Sequence, residues 1–156
     1  VITLTTDEQK IHRVLLDRAR AADPAKPQDA CLSYKALGLQ IDPDGVGTGM
    51  SRPPFRTMFP ALGHVSMYEV EHGRPMLSAL VVAESSHTPG AGFAELARHL
   101  KLKVENDETF WQQELERTIR FWSAQDPILL LDAAVDRLMG ELQVIKNSLR
   151  RLHQDA

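Results

Sequence analysis

The sequence predicts an α+β chain that is mostly helical, with a small domain over residues 1–104 and a long-helix region over 105–156. Two observations define the first part. A capped helix, a very short strand and a Ser-Tyr helix follow one another before residue 42, and an apolar run at 76–83 leads into a Gly/Pro-rich turn and another helix. A third defines the second part: aliphatic residues recur on a heptad period from 128 to 152. The first two together describe a winged-helix-like domain, in which strand and wing support a reading helix.

The elements follow in order. Thr5-Thr-Asp-Glu-Gln9 holds two overlapping capping boxes, Thr5 with Glu8 and Thr6 with Gln9, ahead of an apolar stripe at Ile11, Leu15, Ala19 and Ala22. This helix ends before Asp23-Pro24, and 23–29, with two prolines, reads as a loop. Residues 30–32 read as a short strand, and Ser33 caps a helix from 34 to about 39. Residues 42–56 hold three glycines and three prolines with no apolar period, a long loop of the functional or mobile kind.

Pro60 opens a third helix that runs to His72, with Gly73 as its stop. Leu62 and Val65 face inward, leaving His64, Ser66, Met67 and Glu71 for the outer face. The run 76–83 reads as a buried strand, 85–92 as the wing turn, and Phe93, Leu96, Ala97 and Leu100 as a fourth helix. Asp107 caps a fifth helix bearing Trp111, Leu115, Ile119 and Trp122.

Asp126-Pro127 opens the longest helix. Ile128, Val135, Leu142 and Leu149 fall at heptad position a, and Leu131, Leu138, Ile145 and Leu152 at d, a coiled-coil seam. Val135, Leu138, Leu142, Ile145, Leu149 and Leu152 are the expected dimerisation residues, with Glu141 and Lys146 complementing each other across a parallel pair. The alternative is a hairpin within one chain, the seam lying on Trp111, Leu115 and Trp122.

Composition narrows the function classes. A single cysteine, Cys31, rules out an intramolecular disulfide and points to a reducing compartment. No apolar run approaches membrane-spanning length and the N-terminus lacks a basic-then-apolar signal, so a cytoplasmic protein with no membrane partner is expected. The net charge is −3, divided unevenly: twelve Lys and Arg against eleven Asp and Glu up to residue 104, six against ten beyond it. Between 46 and 103 there are six basic and four acidic residues with four histidines, a modest basic patch.

Six histidines raise a metal site, but no paired-cysteine or His-Glu-x-x-His spacing occurs, so neither metal nor other cofactor is expected. Nor is there a nucleophile elbow or a complete P-loop. Duplex DNA is the expected partner, contacted by Arg52, Arg56, His64, Ser66, Met67, Arg74, His87 and Lys101, in a dimeric regulator or recruitment factor that is not an enzyme. Two alternatives stand beside it. One is a metal-dependent nuclease using Glu71, Glu84 and His87. The other is a protein-interaction module of a larger defence or mobile-element assembly.

Ser33-Tyr-Lys-Ala-Leu37, Leu62-Gly-His-Val65, and Pro75-Met-Leu-Ser-Ala-Leu-Val-Val82 followed by Pro89-Gly-Ala-Gly-Phe93 together resemble the DNA-binding domain of the alkylguanine alkyltransferases and their alkyltransferase-like relatives. In that family the corresponding stretches are a Thr-Tyr-Gly-x-Leu-Ala helix, a Val-Gly reading helix, a Pro-Cys-His-Arg-Val-Val strand and a glycine-rich loop. The resemblance covers about residues 30–95 and implies a third helix that reads DNA. The reactive cysteine is absent, Met76 or Leu77 standing in its place, so alkyl transfer is not implied.

Overall fold

The computed structural model describes residues 1–45, 47–123 and 127–154. The chain forms two compact units, 1–124 and 125–156. Six α-helices and one two-stranded sheet are found among the described residues, so the mostly helical expectation holds.

In the first unit, α1 (Thr6–Ala21) starts at the expected capping box: Thr5 Oγ1 accepts from the Glu8 amide at 3.3 Å, and Glu8 Oε2 from the Thr5 amide at 2.8 Å. Two orphan amides are satisfied at once. The helix buries Ile11, Leu15 and Ala19. Past its end a 3-10 turn (Pro27–Ala30) is pinned by Arg18, whose guanidinium donates to the Ala30 and Cys31 carbonyls at 2.7 and 3.0 Å. The short strand β1 is Leu32–Ser33, rather than 30–32. Ser33 then caps α2 (Tyr34–Ile41) by accepting from the Ala36 amide at 3.0 Å.

The loop from 42 onward is built around one carboxylate. Asp42 Oδ2 accepts from the Gly47 and Thr48 amides at 3.1 and 2.9 Å, and Thr57 Oγ1 donates to the Thr48 carbonyl at 3.0 Å. The bonds donated to it hold the Asp42 carboxyl below its usual value, the Thr48 amide contributing most. Helix α3 (Met58–Glu71) follows and ends as expected at Gly73, whose φ of +71° closes a Schellman turn. Within that turn the Arg74 amide donates to the Glu69 carbonyl at 2.9 Å.

The apolar run is buried from 76 to 82, as expected, but it is not a long strand. It forms a 3-10 turn (Leu77–Leu80) and then β2 (Val81–Val82), which pairs in parallel with β1, Leu32 opposite Val81. The reason lies in where its backbone bonds go. Glu114 Oε1 accepts from the Met76 amide at 2.8 Å and Thr118 Oγ1 donates to the Met76 carbonyl at 3.3 Å. Ser66 Oγ accepts from the Ser78 amide at 3.1 Å, and Trp111 Nε1 donates to the Ala79 carbonyl at 2.9 Å. Side chains of two helices do the work of neighbouring strands.

Helix α4 (Gly92–His99) closes with Lys101 at φ +65°, and α5 (Asp107–Ser123) is capped by Asn106 rather than by Asp107, since Asn106 Oδ1 accepts from the Thr109 amide at 2.9 Å. Sequence patterning groups α5 with the C-terminal region. It belongs instead to the first unit, because Trp111, Leu115, Ile119 and Trp122 are buried there and α5 packs on α1 and on 77–80.

The second unit is α6 (Pro127–Gln154). Its heptad position Ile128 and the helix-opening Asp126 lie outside the side chains described. From Leu131 to Leu152 the seam residues are exposed by 46 to 67%. Among the described residues no helix is long and apolar enough to cross a membrane.

Gly38 gives a direct check of this packing. A Cβ there would lie 2.5 Å from the Met50 carbonyl oxygen and 2.6 Å from Ser51 Cα, both backbone atoms. Gly38→Ala therefore lowers stability by about 1 to 3 kcal/mol, despite the better helix propensity of alanine. Urea unfolding monitored by tryptophan fluorescence measures it.

Candidate nucleic-acid interface

An open cavity of about 420 Å³ lies beside the first half of α3. Tyr34 of α2, Phe59 and Leu62 of α3, and Phe93 and Leu96 of α4 form its apolar walls, with Gly90 at the rim and Ser78 also facing it. The position of Tyr34 is fixed by the Ser33 cap, which starts α2 one residue earlier, and by the Gly90 amide, which donates to its hydroxyl at 2.8 Å. Burial raises the Tyr34 phenol above its ordinary value, the Gly90 bond offsetting part of this. Its ring meets Phe59 edge to face at 5.0 Å and Phe55 at 5.8 Å. Phe59 remains 47% exposed, a large aromatic held at the mouth.

On the loop that leads into α3, Arg52 and Arg56 are exposed and carry no ion pair among the described residues, and Phe55 between them in sequence packs on Tyr34 and Phe59. His87, at φ +56°, and Lys101 are exposed on two other loops. Met67 is half-buried on α3, and His64 Nδ1 lies 2.8 Å from Glu8 Oε2, which ties it to α1.

Two expected contacts do not survive. Ser66 is fully buried, donating to Ser78 Oγ at 2.7 Å, because α3 turns 62, 65, 66 and 69 inward together. Arg74 is held by Glu69, its Nε and Nη2 donating to the two carboxylate oxygens at 2.9 and 2.7 Å, and it lies over Tyr68 and Trp122. It is a core cation and not a free phosphate contact. The basic cluster at 98–103 is likewise part-neutralised, Arg98 by Asp107 and Lys103 by Glu105.

The proposed nuclease residues are not gathered. Glu71 accepts from the Ile2 amide at 2.9 Å, whereas Glu84 and His87 line a separate pocket with Cys31 and Gln28. Among the described residues no three His, Cys, Asp or Glu side chains group as a cation site requires. Burial pushes the Cys31 thiol up to about 11, the Arg18 charge opposing it in part, so the thiol stays protonated at neutral pH.

One cluster was not foreseen from the sequence. Glu69, with a side chain 0% exposed, receives Arg74 from beyond α3 and His12 from α1, whose Nε2 lies 2.8 Å away. Burial alone would raise its carboxyl. The bonds and charges of His12 and Arg74 overcome this and hold it below its usual value.

The sign of the resulting pH dependence follows. A carboxyl whose folded pKa lies below its unfolded value of 4.5 contributes stability above that value and loses it as pH falls through the folded pKa. Glu69→Gln is expected to cost about 3 to 5 kcal/mol at pH 7, since Arg74 loses its buried counter-charge and His12 its carboxylate hydrogen-bond partner. The gap from the native chain narrows below pH ~4.5. Urea titrations of both proteins between pH 3 and 7 check this.

No protein-family model, no curated protein and no solved structure matches the chain.

Proposed function

We propose that the first unit binds duplex DNA at the N-terminal end of α3, as a non-enzymatic regulator or recruitment factor. One observation carries this reading: an exposed aromatic, Phe59, lines an aromatic-walled cavity at the start of α3, and the loop leading into that helix bears two exposed arginines with no ion pair among the described residues. Arg52 and Arg56 supply the phosphate contacts, with Lys101 and His87 as further cations. The outward stripe of α3 is Pro60, Gly63, His64 and Met67, of which His64 and Met67 approach base edges. On this reading 83–91 acts as the wing, closed by the Ala83 amide donating to the Thr88 carbonyl at 2.8 Å.

The cavity extends the reading beyond phosphate contacts. Aromatic walls and an apolar interior of this size suit a base that has left its stack, while the arginines hold the flanking backbone. Nothing similar favours a protein segment at this place. Cys31, Glu84 and His87 line one pocket, but among the described residues they do not group closely enough to hold the cation that would favour cleavage.

Fluorescence anisotropy with a labelled duplex at two salt concentrations tests this. Binding should weaken steeply with salt and proceed without strand cleavage in Mg²⁺. Arg52→Ala and Arg56→Ala should each reduce the salt slope by about 1. A duplex with an unpaired base should bind more tightly than an intact one, and Phe59→Ala should remove that preference, by about 1 to 3 kcal/mol. Absence of binding at low salt would sink the reading, and cleavage would favour the nuclease alternative.

A further inference from the structure

The 28 residues of α6 span about 42 Å. Along this length Leu131, Leu138, Leu142, Ile145, Leu149 and Leu152 keep half or more of their surface exposed, with Val135 at 46%. A stripe of this kind leaves a helix marginal in water until something covers it. Away from the stripe, Gln143 Nε2 donates to Asn147 Oδ1 at 3.0 Å, while Met139 and Val144 add two exposed apolar side chains off the a and d positions.

The helix before it has no apolar face to offer. Trp111, Leu115, Ile119 and Trp122 are buried in the core of the first unit. A hairpin seated on those residues, the alternative drawn from the sequence, would need a face that the first unit already uses.

What fits the stripe is its own copy. Positions a and d alternate along it without interruption, so two identical stripes interlock as knobs into holes. The flanks give the direction. Glu141 at g and Lys146 at the following e are both exposed and without an ion pair among the described residues. In a parallel pair each Glu141 faces the partner's Lys146, twice over. An antiparallel overlap centred on Glu141 would set the two carboxylates against each other instead.

We propose that α6 pairs with α6 of a second copy of this chain as a parallel two-stranded coil. This goes beyond the DNA reading and does not depend on it. Two first units joined in this way bind one duplex with raised effective concentration, yet the coil forms without DNA.

The test uses the full chain in the absence of nucleic acid. Light scattering behind size exclusion should give twice the 17.5 kDa chain mass. Leu142→Asp combined with Ile145→Asp should halve that mass and weaken self-association at least 100-fold. Both positions are exposed in the single chain, so the near-ultraviolet spectrum of the buried tryptophans should stay unchanged. With Cys31→Ala as background, Leu152→Cys should oxidise to a covalent dimer, because like d positions meet only in a parallel pair. A native mass of one chain, or of more than two, overturns the proposal, as does an unchanged mass in the double variant. A two-chain mass without the Leu152→Cys cross-link overturns the parallel arrangement.

Discussion

A single buried carboxylate organises the first unit. Glu69 has no exposed surface, and ionised it is tolerable there only because His12 and Arg74 reach it from two sides. His12 lies on α1, Glu69 on α3, and Arg74 stacks over Trp122 of α5. Three helices are therefore registered on one charge, and the Schellman turn at Gly73 delivers the arginine to it. The α3 surface proposed to face DNA is the reverse side of this anchored helix.

A second constraint is the short parallel sheet. Two residues in each strand cannot satisfy the backbone of a buried segment as long as 76–82. Glu114, Thr118 and Trp111 of α5 and Ser66 of α3 supply the missing partners. This explains why α5 cannot be separated from the domain. It also explains why so many polar residues of α3 and α5 lie on their inward faces.

Much of the local structure was legible. The Thr5 box, the Ser33 cap, the Gly73 stop and Pro60 in the first turn of α3 all act within a few residues of chain, and the structure contains each of them. What failed required long-range knowledge. Ser66 reads as an outward polar residue until its partner Ser78 is known, and Arg74 reads as a free cation until Glu69 is seen to be internal. A signal for the latter was present: 62, 65 and 69 share one face, so a charge at 69 stands where the period calls for an apolar residue. The 76–83 run had the composition of a strand, and composition cannot show that its hydrogen bonds come from helices. The cavity was not legible at all, since Tyr34, Phe59 and Phe93 are separated by loops whose path the sequence does not specify.

The cavity also has a polarity. The Tyr34 oxygen already accepts from Gly90, and Ser78 Oγ already accepts from Ser66. Each hydroxyl has one acceptor role filled by the protein itself, which leaves its own proton to be given away. The walls therefore present two hydroxyl protons beside the one lone pair that each oxygen has left. An occupant whose inner edge carries carbonyl oxygens or ring nitrogens with free lone pairs is matched. One whose inner edge carries only N–H groups finds just the remaining lone pair of each hydroxyl and leaves both hydroxyl protons without an acceptor.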